Sequence, residues 1–140
     1  QLAGTRLLCQ QPPWGRLTAV DAASGQIAWQ VPLGITDELP EGQRHTGRPN
    51  IGGAITTASG LTFIGASDDA RFRAYATRTG ELLWETLLPA AAHATPITYA
   101  GADGRQFVAV AATGGSFLAS PINADQIIAF ALPPETSPQE

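Results

Sequence analysis

Two stretches of this chain carry the same residues at the same offsets, and that internal repeat constrains the fold more than any other feature. Ala19, Asp21, Ser24, Gly25 and Trp29 read A-x-D-x-x-S-G-x-x-x-W, and Ala74, Thr79, Gly80 and Trp84 read A-x-x-x-x-T-G-x-x-x-W. Ser24-Gly25 and Thr79-Gly80 fall where a hairpin needs a residue at positive φ, which glycine supplies at little steric cost. Four residues later each Trp sits on an outer strand, placed to lay its ring over a neighbouring unit while its indole N–H finds a carbonyl. Asp21 is set to accept hydrogen bonds from its own turn, a contact that Ala76 cannot make in the second copy.

The second copy closes a four-stranded antiparallel unit. Ala54 to Thr57, Leu61 to Gly65, Arg71 to Thr77 and Leu82 to Leu87 are short runs rich in Ile, Phe, Leu, Tyr and Thr, each bounded by Gly, Ser or Asp. Four strands in about 35 residues is the size of one propeller blade. The two Trp residues are 55 positions apart, and the excess over one blade falls in the Pro- and charge-rich segment from Thr36 to Asn50, an inserted loop. Before it, Leu17 to Asp21 and Ile27 to Pro32 form a hairpin, the last two strands of a blade whose first two are missing or made from residues 2 to 10. After the complete blade, Thr95 to Tyr99 pairs with Gln106 to Ala112, Gly114 to Asp125 is a long loop, and Gln126 to Leu132 is the final strand.

The chain therefore divides into residues 1–35, the end of one blade; 36–53, a connecting loop; 54–90, a complete blade; 91–132, three strands of a closing blade; and 133–140, a disordered tail. The expected class is all-β, a partial β-propeller of about two and a third blades, where a ring takes roughly four to eight. Open sheet edges invite association with further blades or with a second copy.

Composition agrees. Of 140 residues 15 are Gly and 11 Pro, with no Met and only 14% charged, which favours turn-rich β structure, and no window has sustained helical periodicity. A net charge of −4 gives no basic field for nucleic acid or anionic lipid. No apolar run approaches the roughly 18 residues of a membrane span, so the piece reads as soluble. It begins at Gln1 in mid-pattern, as a piece of a longer chain would. Cys9 stands alone: it pairs outside this stretch or is a small hydrophobe.

The loop from Gly34 to Gly53 gathers Asp37, Glu38, Glu41, Arg44, His45 and Arg48. Loops this long border a site or lack order, and single charges on them are solvated by default. Gly52-Gly53, just before a strand, would let something approach the backbone closely. Pro12-Pro13-Trp14-Gly15 cannot be a central strand and reads as a rigid loop that places Trp14.

These segments together resemble the quinoprotein dehydrogenases, specifically the C-terminal part of the membrane-bound glucose dehydrogenase branch. The resemblance rests on Cys9 to Gly15, the tryptophan motif of Gly15 to Gly34, Asn50 to Trp84, and Leu88-Pro89 with Ala94 to Tyr99, and spans most of residues 7 to 132. It implies an eight-bladed propeller holding pyrroloquinoline quinone (PQQ) with calcium or magnesium near the axis. It also implies oxidation of an aldose or polyol at the periplasmic face of the bacterial inner membrane, with electrons passed to ubiquinone. A catalytic base, the metal ligands and most quinone contacts would lie in blades outside this stretch.

Asn50 matches an Asn near the cofactor, with Gly52 and Gly53 beside it; Asp69 matches an acidic residue that tunes the active site, and Arg73 follows at the family spacing. On the residues alone Asp69 is a turn residue, Arg73 a solvent-facing strand residue and Trp14 a blade-packing aromatic; the resemblance makes Asp69 a catalytic-site residue and Arg73 and Trp14 cofactor contacts. Where the family often has a His after its final Gly-Gly, this chain has Gly114-Gly115-Ser116; His93 and His45 do not replace it at matching positions, and two distant histidines make no metal site. Alcohol-type quinoproteins usually carry Trp where Ile51 stands, which favours the sugar branch. A non-catalytic propeller scaffold with the same tryptophan repeat would have no use for Asn50-x-Gly-Gly or the Pro-Pro-Trp-Gly loop.

Overall fold

The structure is a computed structural model that describes residues 7–115 and 122–132. Within them the chain is all-β, without a helical residue, and forms three antiparallel sheets. β1 (Arg16–Val20) pairs with β2 (Ile27–Pro32). β3 (Ala54–Thr56), β4 (Leu61–Ile64), β5 (Arg71–Ala76) and β6 (Leu82–Leu87) form a meander in sequence order. β7 (Ile97–Ala100), β8 (Gln106–Gly114) and β9 (Asn123–Ala131) form the third sheet.

The repeat is reproduced in detail. Ala19 lies opposite Trp29 and Ala74 opposite Trp84, and each pair is followed by a register shift, between Ala19 and Val20 and between Ala74 and Tyr75. A small residue opposite each indole leaves room for the ring, and the bulge adds local twist. The turns share their closing bond: Gly25 N donates to Asp21 O and Gly80 N to Ala76 O, both at 2.8 Å. The carboxylate of Asp21 takes Ser24 N, Ser24 Oγ and Ala23 N, contacts that have no counterpart at Ala76. These bonds, led by that from Ser24 N, hold the Asp21 carboxyl below its usual range.

Side-chain alternation gives the four-stranded sheet two apolar faces. On one, Ile64, Ala66 and Tyr75 pack with Leu33, and Leu17 and Val31 of the first sheet close over them. On the other, Phe72 joins Leu88, Ala92, Val108, Val110 and Ala112, with Phe63 and Phe130 alongside. The sheets are tied across these faces by the tryptophans. Trp29 donates its indole N–H to Thr77 O at 2.9 Å, and its ring lies against Gly80 so closely that a Cβ there would sit 2.6 Å from Cε3. Trp84 meets Phe130 edge-on at 5.2 Å between centroids.

The third sheet departs from the expected boundaries. β8 runs to Gly114 and β9 starts at Asn123, so the segment expected to be a loop from Gly114 to Asp125 is partly strand. A register shift between Ala112 and Gly114 lets Gly114 pair with Asn123, which extends the ladder past the polar residues that looked like loop. Residues 116–121, the tail 133–140 and the first six residues lie outside the described residues, and with them Ser116, the proposed disordered tail and part of the candidate inner strands.

Candidate functional site at one end of the sheets

Because the strands alternate in direction, Gly15, Leu33, Asn50 to Gly53, Gly65 to Ala70, Leu88 to Pro96 and Gly114 all fall at the same end of the sheets. A ribbon of backbone bonds crosses that end. Leu33 N donates to Gly15 O at 3.0 Å and Arg48 N to Leu33 O at 2.7 Å; Ile51 N donates to Ala66 O at 3.0 Å, Ala66 N to Ala92 O at 2.7 Å and Gly114 N to Ala91 O at 2.9 Å. Asn50 and Ser67 form a bridge in the same ribbon. The chain crossings are tight: a Cβ on Gly15 would lie 1.8 Å from Arg48 O, and one on Gly34 2.7 Å from Arg48 N.

The residues that sequence proposes for the cofactor site, Trp14, Asn50, Gly52, Gly53, Asp69 and Arg73, lie at or next to this end. Trp14 is half-buried, its Nε1 donating to Gln10 O at 2.7 Å and its backbone N to Thr46 O at 2.7 Å. Asn50 is half-buried; one Nδ2 proton goes to Arg48 O at 3.1 Å, which leaves the amide a second proton. Gly52 and Gly53 do meet a close neighbour, and it is the chain itself: Cβ atoms there would lie 2.4 Å from His93 O and 2.3 Å from Thr95 Oγ1.

Asp69 and Arg73 form a buried ion pair through Arg73 Nη2 and Asp69 Oδ2, with side chains only 1% and 2% exposed. Asp69 Oδ1 also accepts Ser67 Oγ at 2.5 Å, and Oδ2 accepts Ile35 N at 2.8 Å. Burial pushes the Asp69 carboxyl up, but the Arg73 guanidinium, Ser67 and the Ile35 N–H outweigh it and hold the group below the ordinary Asp value. Arg73 Nε donates to Glu85 Oε2 at 2.7 Å, so the side chain that alternation alone would leave facing solvent is enclosed by carboxylates. Burial lowers its pKa; its bond to Asp69 more than restores it.

Several partners had no local signal in the sequence. Arg48, on the inserted loop, donates Nε to Asp68 Oδ1 at 2.5 Å and Nη1 to Glu38 at 3.1 Å, with the Arg48 and Asp68 side chains 9% and 4% exposed. Arg71 reaches Asp37 of the same loop at 2.8 Å. The loop is thus fastened to the Ser67–Arg73 corner by charge pairs, and Arg48 is not solvated as a lone loop cation would be. Ala66 and Ala70 bracket that corner at φ 61° and 53°. Left-handed geometry costs about 1–2 kcal/mol at each non-glycine position, and the pairs around Asp69 hold it in place. His93 Nδ1 lies 3.1 Å from Ala66 O, while its Nε2 is buried without a partner.

At this end of the sheet array polar groups converge on a strained, charge-fastened corner. The family model described as "PQQ: Glucose/ethanol/alcohol dehydrogenase, beta-propeller domain" matches residues 1–108, and the chain belongs to that family. It is 41% identical over 136 residues to the glycerol dehydrogenase large subunit of Gluconobacter thailandicus, covering 92% of this chain and 18% of that protein. It is 37% identical over 138 residues to the quinoprotein glucose dehydrogenase of Gluconobacter oxydans, covering 93% of this chain and 17% of that one. Among solved structures, a europium-containing methanol dehydrogenase superposes with a TM-score of 0.58 at 31% identity, over 71% of this chain and 15% of that one. The chain thus spans less than a fifth of the length of the curated relatives it matches.

A PQQ site needs donors for the quinone and carboxylate oxygens. Asn50 offers a donor for a quinone or carboxylate oxygen. Arg48, Arg71 and Arg73 are each spoken for by carboxylates. Among the described residues no group of three or more His, Cys, Asp or Glu is arranged to hold a metal ion.

Proposed function

We propose that this chain supplies blades of a PQQ-dependent sugar or polyol dehydrogenase, of the kind that passes electrons to ubiquinone at the periplasmic face of the bacterial inner membrane. The observation that supports it is the gathering of Trp14, Asn50, Gly52, Gly53, Asp69 and Arg73 at one end of the sheets, in a chain whose relatives include glycerol and glucose dehydrogenases. Bound PQQ would accept a hydride equivalent from the alcohol carbon, with calcium or magnesium held by residues of other blades.

The contacts of this chain's residues support a role for each. Asn50 holds the cofactor through its second amide proton, and Trp14 closes the rim beside it. Gly52 and Gly53 let the 93–95 segment pack against the stretch that leads from Asn50 into β3. Asp69 is fully engaged as an acceptor, so it tunes the site as a fixed negative charge paired to Arg73 and leaves proton abstraction to a base elsewhere. Trp29 on Thr77 and Gly80 is read as the docking contact that sets one blade on the next.

The open strands β1 and β9 are where further blades, or a second copy, would add. The test is absorbance titration of the assembled enzyme with PQQ and calcium. Asn50→Leu is expected to weaken PQQ binding by about tenfold, one lost hydrogen bond to a charged or quinone oxygen. Undiminished binding in a folded Asn50→Leu protein would remove Asn50 from the site, and no binding by the parent enzyme would overturn the function.

A further inference from the structure

His93 is the residue at this end whose chemistry is unspent. Its Nδ1 lies 3.1 Å from Ala66 O. A carbonyl only accepts, so Nδ1 carries the ring proton and Nε2 presents a lone pair. That Nε2 is, among the described residues, the buried side-chain polar atom with no hydrogen-bond partner. Unmet buried acceptors in native structures mark a place for a ligand or an ordered molecule that donates.

The ring is fixed where a ligand would matter. Ala66 O also accepts Ile51 N at 3.0 Å, so His93 and the residue after Asn50 share one carbonyl. His93 O abuts Gly52, and Ala66, at φ 61°, leads into Ser67, which bridges Asn50 and donates to Asp69. The segments that carry His93, Asn50 and Asp69 thus meet at one corner. An acceptor there does not suit PQQ, whose carboxylates and quinone oxygens themselves want donors. It suits a hydroxyl.

We propose that His93 Nε2 accepts a hydrogen bond from a hydroxyl of the polyol substrate, one that is not being oxidised, and so selects polyols over simple alcohols. The proposal rests on the dehydrogenase reading above and deepens it. His93 orients the substrate and takes no proton from the reacting carbon's hydroxyl.

The test compares His93→Asn and His93→Gln with the parent in the full enzyme loaded with PQQ and calcium. Asn keeps an amide N–H for Ala66 O and loses the acceptor at Nε2; Gln returns an acceptor near that position. His93→Asn is expected to raise KM for glycerol about tenfold with kcat little changed, to leave KM for 1-propanol within about twofold, and to leave PQQ affinity unaltered, the cost of one buried hydrogen bond. His93→Gln should recover most of the loss. In the parent, the ¹⁵N resonance of His93 Nε2 should move on addition of glycerol and not of 1-propanol. An unchanged KM for glycerol, or equal losses for both alcohols, would overturn the assignment. If His93→Asn fails to fold, a stationary Nε2 resonance in the parent overturns it, and a moving one sustains it. Failure of the parent to bind PQQ at all would instead strike the dehydrogenase reading.

Discussion

Trp29 and Thr77 are joined across two sheets by an indole N–H to carbonyl bond of 2.9 Å, with the indole face laid on Gly80. The same turn that offers Thr77 O therefore also offers the flat glycine surface the ring needs. The first sheet has only two described strands, and this contact and the Leu33 cluster tie it to the second.

Trp29→Phe should lower stability by about 1 kcal/mol, the net worth of the lost hydrogen bond, while keeping most ring packing. Trp29→Ala should cost about 3 kcal/mol or more. Denaturant midpoints at constant m would check both. Equal effects for Phe and Ala would show that the bond, not the ring, carries the contact.

Gly25 and Gly80 occupy the same repeat position at φ 71° and 74°, but only Gly80 is covered, a Cβ at Gly25 meeting nothing within 4 Å. Gly25→Ala should cost about 1–2 kcal/mol, the left-handed conformation alone. Gly80→Ala should add about 1–3 kcal/mol for displacing Trp29. The difference between the two, read from paired denaturation curves, isolates the packing of the indole.

The Asp69 carboxyl titrates below the ordinary Asp value of 3.8 when folded. Its unfolded form binds a proton more readily, so its contribution is complete above that value and is lost as pH falls through the depressed folded pKa. Stability measured from pH 6 downward should fall below about pH 4, and Asp69→Asn should flatten that fall. The substitution also leaves buried Arg73 with the half-buried Glu85 as its remaining ion-pair partner, at a cost of about 3 kcal/mol at neutral pH. An unaltered acid limb in Asp69→Asn would assign the transition to other carboxylates.

Asp37 and Asp68 both pair an arginine at the loop junction, yet Asp37 is 53% exposed and Asp68 4%. Asp37→Asn should change stability by less than about 1 kcal/mol and Asp68→Asn by about 3 kcal/mol or more. Limited proteolysis within residues 36–50 should accelerate only in the second variant.

The hairpins were legible in the sequence because their information is local. The offset from Ala19 to Gly25 to Trp29 encodes strand, turn and facing residue within one hairpin, and the second copy repeats it. What the sequence hid is what the ribbon brings together. Arg48 and Asp68 are separated by a whole strand pair, and nothing near either residue signals that the other neutralises it. Alternation along β5 makes Arg73 look like a surface residue, because the Asp69 that encloses it arrives by a turn at left-handed Ala70. Gly52-Gly53 correctly marked a close approach, but only the fold shows that His93 and Thr95 make it. The start of β9 is hidden by three residues because polar Asn123 and Asp125 resemble a loop until the bulge near Gly114 restores the pairing.

The most direct test of the central claim mixes this chain with the separately produced remainder of the propeller, PQQ and calcium, and follows dye reduction with glycerol or glucose. The account predicts sustained reduction in the mixture and none with either part alone. A mixture of well-folded parts that assembles, yet neither binds PQQ nor reduces dye, would contradict it and leave the chain a propeller scaffold without the chemistry.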